Sequence, residues 1–281
     1  MNRNSVKLRR VTIALAAALV AGVTSLPAAA DQLDVVKSRG KLICGVLAGF
    51  EPFGFRNPKT GEVEGFEPEV CIGLAKYLGV QPELKVITAQ GRVPEIQQGR
   101  IDVEAALLGW TKERDEQVEY SNAYATVDSR IMVLKDSGIK SAADLATRKI
   151  GVAKGSNLEI VGRKAFPNGS IIGFDDTPAA YLALRQGKVA GLLLTETTHF
   201  SLRNQDPEGP EKTVILPEVY ESAQVPVAMR KGELRLRDQV NAFLAQLESS
   251  GEAMKLYNKW FGSQSRLKLT RTEPAGTPIR K

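Results

Sequence analysis

The 281-residue chain has few of the side chains from which metal centres are built. It contains a single histidine, His199, and only two cysteines. A metal site needs several ligands in one place, so the lone imidazole predicts no metal site, and we expect no other cofactor either. We expect His199 to lie at the surface or at the start of a helix.

Long apolar runs are also scarce. One such run, residues 11–26, follows four basic residues and precedes Pro27 and three alanines. It is shorter than the roughly 20 residues of a membrane span, and small residues at Ala28 and Ala30 fit a signal-peptidase site. The pattern predicts a signal peptide over residues 1–30, cleaved after Ala30, with an uncleaved anchor as the alternative. No later segment is apolar enough to span a bilayer, so we expect a soluble periplasmic protein.

The basic charge of the chain belongs to its two ends. The formal net charge is +6, yet residues 1–30 carry four basic residues and no acid, and residues 264–281 carry five basic residues against one acid. The part between them is therefore slightly acidic. Nucleic-acid binding needs a basic stripe on a folded face, so the charge pattern argues against it.

The two cysteines are Cys44, in an apolar run, and Cys71, in a helical pattern that follows Pro68. Export leads to an oxidising compartment, in which the two thiols can pair. A bridge across this separation would stabilise the fold by about 3 kcal/mol. The alternative is two buried, unpaired thiols that act as small apolar side chains.

Past residue 31 the sequence alternates short apolar runs with helical patterns. Apolar runs such as 42–47 and 103–108 are typical of buried strands, and residues 68–78 have helical spacing that ends at Gly79. This alternation predicts an α/β fold with largely parallel sheets. Residues 263–281 are polar, basic and rich in proline and glycine, so we expect a disordered tail there.

Five segments carry more specific patterns, and they follow one another along the chain. They are Gly-aromatic-acid-Pro-acid before an apolar helix at residues 65–75, GRID at 99–102 with TKER at 111–114 and YSNAY at 120–124, Gly-Ser at 155–156, LRQGKV at 184–189, and KWFG at 259–262. Together they resemble the bacterial extracellular solute-binding proteins of family 3, the polar amino acid type. Pro68 departs from the family's usual aliphatic residue. Cysteines at positions 44 and 71 also resemble a subgroup of general amino-acid binders.

The resemblance implies a two-lobed, periplasmic-binding-protein-like fold of type II, with two crossing hinge strands. Lobe 1 would comprise residues 31–126 and 222–262, and lobe 2 residues 127–221. The lobes would close about the hinge around a ligand held in the cleft between them.

The resemblance also implies which residues hold the ligand. Arg114, in the family's Thr-x-x-Arg stretch, would grip a carboxylate through paired hydrogen bonds; from the sequence alone, a surface arginine in a charged run is the alternative. The other implied ligand-binding residues are Phe50, Phe53, Leu107, Gly109, Ser156 and Asn157.

The family usually has an aspartate that binds the ligand's ammonium group, and this chain has Thr195 at that position. Burying an ammonium without an anion costs several kcal/mol. Either Glu196 supplies the anion from the neighbouring position, or the ligand has no ordinary α-ammonium group. The departure leaves the ligand class open.

The resemblance implies the substrate-binding component of an ABC transporter, a monomer that delivers a small amino acid or related carboxylate to a membrane permease. An enzyme on the same scaffold, like the cyclohexadienyl dehydratases, is the alternative, with Glu196 as its acid or base. A sensory module that feeds a membrane receptor is a third reading. It lacks support because no second membrane segment or signalling domain is present.

Overall fold

The structure is a computed structural model, and it describes residues 31–280. The predicted signal peptide therefore lies outside the described residues. The helices are α1 (Gln32–Arg39), α2 (Phe66–Leu78), α3 (Arg92–Gln97), α4 (Lys112–Asp115), α5 (Leu158–Ala165), α6 (Thr177–Arg185), α7 (Glu196–Gln205), α8 (Gly209–Lys212), α9 (Leu234–Ser249) and α10 (Glu252–Trp260). Within residues 31–280, none of these helices has the length and hydrophobicity of a membrane span.

The strands alternate with these helices along most of the chain. They are β1 (Lys41–Val46), β2 (Gly49–Phe50), β3 (Gly54–Arg56), β4 (Val63–Glu64), β5 (Gln81–Val86), β6 (Val103–Glu104), β7 (Val118–Leu134), β8 (Lys149–Ala153), β9 (Ser170–Phe174), β10 (Gly191–Thr195), β11 (Thr213–Ile215) and β12 (Glu221–Arg230). Strands β2, β3 and β4 form a small separate sheet. The alternation confirms the predicted α/β class.

Two long strands join the halves of the main sheet. Its order is β5-β1-β6-β12-β7-β10-β8-β9, with β11 also paired to β7. The outer pairs β1–β5 and β8–β9 are parallel, whereas β7 and β12 pair antiparallel in the middle. The chain passes from one half-sheet to the other within β7 and returns within β12. This is the predicted arrangement of two crossing strands, and we keep the names lobe 1 and lobe 2 for the two sides.

A disulfide joins helix α2 to the sheet of lobe 1. Cys44 of β1 and Cys71 of α2 are bonded, with their Cα atoms 6.1 Å apart, which confirms the predicted pair. The helix begins after Gly65, whose φ of 139° is accessible to glycine and whose missing Cβ would lie 2.4 Å from a carbonyl oxygen of Phe53. Pro68 lies in the first turn, where a helix needs no N–H. The buried face of α2 packs on the lobe 1 core.

The C-terminal tail is ordered up to Arg280, so the predicted disorder of this segment is wrong. Between residues 118 and 128 one edge of β7 is not covered by β10 or β11. There Ala123 donates to the carbonyl of Thr277 and accepts from the N–H of Gly276, both at 2.8 Å. The amide of Gln224 on β12 donates to the carbonyl of Pro278 at 3.0 Å. The exposed strand edge offers backbone partners that the tail's polar composition does not reveal.

Candidate functional site

A cleft with an empty volume of about 580 Å³ lies between the two lobes. Its walls come from lobe 1, from lobe 2 and from the crossing strands β7 and β12. The lining residues are Leu47, Phe50, Ala89, Arg92, Leu107, Gly109, Val127, Ser129, Ala153, Ser156, Asn157, Leu158, Thr177, Leu194, Thr195, Thr198, Glu221, Ala223 and Val225. Most of them are apolar or small, so the few charged groups decide what the cleft can hold.

Arg114 lies beside this cleft and contacts one of its lining residues, Gly109, without being a lining residue itself. Thr111 caps the short helix α4 by accepting from the N–H of Arg114 at 3.2 Å. The guanidinium donates to the carbonyl of Gly109 at 3.0 Å and to that of Gly155, in lobe 2, at 3.2 Å. These bonds use two of the five guanidinium N–H groups. The side chain is half-buried and does not point to bulk water, as a surface arginine would.

A second arginine, Arg92, lines the cleft from helix α3. It is 2% exposed and donates to the carbonyls of Ala89, Ala106, Leu107 and Gly155 at 2.8, 2.9, 2.6 and 2.9 Å. Burial lowers the pKa of its guanidinium to about 10. Four carbonyl acceptors thus hold the charge in place at the cleft wall, and its bond to Gly155 joins it to lobe 2.

Two fully buried carboxyl groups lie behind the cleft wall. Glu67 accepts from the N–H of Leu107 at 2.7 Å and from the hydroxyl of Tyr124. Within the described residues no donor reaches either carboxyl oxygen of Glu104. Burial raises the pKa of Glu67 to about 7 and that of Glu104 to about 8, and the charge of Arg92 opposes both shifts. The protonation states of Glu67 and Glu104 therefore depend on the charge of Arg92.

The same groups hold Leu107 in an uncommon backbone conformation. Leu107 has a φ of 53°, in the left-handed region that non-glycine residues rarely adopt. Its N–H is bound by Glu67 and its carbonyl by Arg92. The peptide groups on both sides of this residue are thereby fixed where it lines the cleft.

On the lobe 2 side the predicted residues line the cleft but have local partners. The hydroxyl of Ser156 donates to the carbonyl of Ala153 at 2.6 Å. The amide of Asn157, just before helix α5, donates to Glu221. The hydroxyl of Thr195, at the end of β10, caps helix α7 by accepting from the N–H of Thr198 at 3.3 Å.

Glu221 is the acid of the cleft, and sequence reasoning missed it. It is the first residue of β12 and pairs with Ser129 of β7. It is half-buried, and burial raises the pKa of its carboxyl group, while the charge of Arg114 and the hydrogen bond from Asn157 lower it. No motif marks the position, because a single glutamate before a strand is ordinary in sequence.

Six of the nine predicted ligand-binding residues line the cleft, Arg114 contacts the lining residue Gly109, and two lie elsewhere. Phe53 is 1% exposed and packs in lobe 1 against Phe66 and Phe261. Glu196 forms an ion pair with Arg130 at 3.2 Å and lines a different cavity, beneath the C-terminal tail. Neither side chain is among the lining residues of the cleft.

His199 lies in the first turn of helix α7 but is buried, so the surface position that we considered is wrong. It is the fourth residue of α7, fully buried, with Nε2 2.9 Å from the carbonyl oxygen of Arg130. Burial lowers its pKa to about 4. Within residues 31–280 no group of three or more metal-ligating side chains occurs.

A family model for the bacterial extracellular solute-binding proteins, family 3, matches residues 42–263. The chain belongs to this family. Its curated relatives are amino acid-binding proteins of ABC transporters. Among them, the L-cystine-binding protein TcyJ of Escherichia coli (strain K12) is 32% identical over 253 residues, which cover 89% of this chain and 93% of that protein.

Solved structures support the two-lobed architecture of this family 3 protein. An ancestral arginine-binding protein bound to arginine is similar, with a TM-score of 0.75 and 32% identity over 80% of this chain and 99% of that chain. An ancestral amino acid-binding protein, AncCDT-1, has a TM-score of 0.76 and 29% identity over 82% of this chain and 99% of that chain. The second structure is described as a precursor of cyclohexadienyl dehydratase.

Proposed function

We propose that this family 3 protein binds one small amino acid, or an amino-acid-like carboxylate, in the cleft between its lobes. The observation that carries the proposal is the guanidinium of Arg114, which bonds to main-chain carbonyls of both lobes at the cleft. A planar guanidinium forms paired, charge-assisted hydrogen bonds with a carboxylate. A ligand carboxylate held there meets both lobes at once, so that binding favours the closed arrangement.

The same proposal covers delivery and location. After cleavage behind Ala30, the mature protein works in the periplasm as a monomer and hands its ligand to the membrane permease of an ABC transporter. The support comes from the family, whose members bind amino acids and work with such permeases. The relative names differ in ligand, from cystine to glutamine to arginine, and so leave the side-chain preference open.

A thermal-shift screen of the purified protein against the standard amino acids and L-cystine tests the proposal. A receptor with a micromolar dissociation constant is stabilised by about 2.7 kcal/mol at a hundredfold excess of ligand over that constant. Arg114→Ala should abolish the shift, because loss of a buried charged contact costs about 2–5 kcal/mol of binding. The control is Lys112→Ala, an exposed position in the same helix. Absence of any shift in the wild-type protein, or an unchanged shift in Arg114→Ala, contradicts the proposal.

The structure gives the enzyme alternative less support than the sequence does. The acid that sequence reasoning offered for catalysis, Glu196, pairs with Arg130 outside the cleft. Glu221 is the acid that remains among the lining residues. Incubation with prephenate distinguishes the two functions, because a dehydratase consumes it and a receptor does not.

A further inference from the structure

We propose that Glu221 binds the ammonium group of the ligand and so replaces the acid that is missing at Thr195. This inference rests on the proposed function, since it names a second anchor in the same cleft. It assigns the ligand to the zwitterionic α-amino acids and excludes simple carboxylates as preferred ligands.

The two residues favoured by sequence position do not supply the anion. Thr195 is uncharged, and its hydroxyl is engaged with Thr197 and Thr198 at 3.0 and 2.8 Å. Glu196 begins helix α7 and is paired with Arg130 in the other cavity. An ammonium group that enters the cleft therefore needs a different partner, because burying it unpaired is costly.

Glu221 meets the requirements for that partner. Of the described residues that line the cleft, it is the one with a carboxyl group. Asn157 donates to Oε1. Among residues 31–280 no donor is found for Oε2, and no lysine or arginine forms an ion pair with Glu221. A half-buried carboxylate with an open oxygen is suited to a charged donor from a ligand.

The positions of Glu221 and Arg114 suit the two charges of an amino acid. Arg114 approaches from lobe 1, whereas Glu221 starts the crossing strand β12 and is held by Asn157 of lobe 2. The charge of Arg114 is close enough to affect the carboxyl group of Glu221. The carboxylate of a zwitterion can bind the guanidinium of Arg114 while its ammonium group binds Glu221. Both side-chain charges are then neutralised.

Calorimetry with matched ligands tests this role. The probes are L-glutamine, L-arginine, L-glutamate and L-cystine, each compared with the same acid lacking the α-amine: glutaramate, 5-guanidinopentanoate, glutarate and 3,3′-dithiodipropionate. For the amino acid that binds most tightly, wild-type protein should prefer it over its deaminated analogue by about 100-fold. Glu221→Gln should lose about 100-fold in affinity for the amino acid, and its affinity for the analogue should stay within about threefold.

Glu196→Gln is the matched control, and both affinities should stay at wild-type values, because Glu196 lies outside the cleft. Glu221→Ser repeats the test if the glutamine variant does not fold. The inference is overturned if neutral variants at Glu221 bind the amino acid as well as wild type does, or if Glu196→Gln shows the loss instead. Equal wild-type affinity for an amino acid and its analogue also overturns it, without any variant. If wild type binds none of the standard amino acids, L-cystine or the deaminated analogues, the proposed function itself fails and the inference fails with it.

Discussion

Arg114 of lobe 1 donates to the main-chain carbonyl oxygen of Gly155 in lobe 2, at 3.2 Å. Arg92 donates to the same oxygen at 2.9 Å. A further contact joins the lobes where the hydroxyl of Thr177 donates to the carbonyl of Gly49 at 2.8 Å. The residue that we propose as the carboxylate anchor therefore also ties the lobes together, and closure and binding depend on the same guanidinium.

Gly155→Ala should weaken ligand binding by about tenfold or more. Gly155 has a φ of 76°, and an added Cβ would lie 2.9 to 3.1 Å from atoms of Gln90 in lobe 1. Part of that contact is with main-chain atoms, which cannot rotate away, so the lobes must separate. Isothermal titration calorimetry measures the loss.

Gly187→Ala is the control for the backbone strain alone. Gly187 has a similar φ of 69°, and its added Cβ would meet nothing within 4 Å. Both variants carry the strain of an alanine at a positive φ, but only Gly155→Ala should lose affinity. Equal affinities for the two variants would show that the approach of Gly155 to lobe 1 does not matter for binding.

Removal of the Cys44–Cys71 bridge should lower the free energy of unfolding by about 3 kcal/mol, because the closed loop spans 27 positions. The variant with both residues changed to alanine should unfold at lower urea concentration and still bind its ligand, since neither cysteine lines the cleft. Dithiothreitol should destabilise the wild type and leave the alanine variant unchanged. A reductant effect of the same size on both proteins would refute the structural role of the bridge.

Stability should fall between pH 6.5 and pH 8 because of the buried acids. The folded-state pKa of Glu104 is raised to about 8, so the folded protein keeps a proton that the unfolded chain releases near pH 4.5. Its contribution to stability is full below that pH and is lost as the pH rises towards 8. Urea unfolding should show that Glu104→Gln loses less stability than wild type over this range, by on the order of 2 kcal/mol.

Glu83→Gln, at a partly exposed position of β5 where the side chain pairs with Lys41, is the matched control for this pH series. It should lose stability with pH as wild type does. If Glu104→Gln follows the same curve as wild type, Glu104 does not hold the proton. The buried His199 does not contribute to the stability difference between these variants in this pH range. Its lowered pKa affects stability only as the pH falls below about 6.5.

Truncation after Gly262 should destabilise the protein by about 2–3 kcal/mol. It removes Arg271, which pairs with Glu248 of α9, and it leaves the N–H and carbonyl of Ala123 without the tail's backbone. Glu248→Gln, which removes the charged partner and keeps the chain, should cost about half as much. Equal urea midpoints for the truncated and intact proteins would mean that the tail adds nothing to stability.

Local patterns predicted much of the fold. The strand-helix alternation and the end of α2 at Gly79 depend on neighbouring residues or on short-range periodicity, which a sequence displays directly. The sequence pattern marks only the end of the 17-residue strand β7, where residues 131–134 form a continuous apolar run. The first part of β7 lies next to the cleft and the C-terminal tail. The order of its buried and partly buried residues depends on those two neighbours, which the sequence does not show.

The charged groups of the site were harder to predict. Arg114 was found because it belongs to a recognisable stretch. Arg92 and Glu221 come from α3 and β12 and line the same cleft only in the folded protein. Three of the four carbonyl groups that hold Arg92, those of Ala106, Leu107 and Gly155, are distant from it in sequence, and a sequence does not show such acceptors. Glu196 was proposed because it adjoins Thr195 in sequence, but at the start of helix α7 it pairs with Arg130.

A crystal structure of the protein with its bound amino acid tests the central claim most directly. The account predicts that the ligand's carboxylate oxygens lie about 2.7–3.2 Å from the guanidinium nitrogens of Arg114, in the cleft between the lobes. A bound amino acid whose carboxylate contacts other groups, with Arg114 left on the main-chain carbonyls alone, would contradict it.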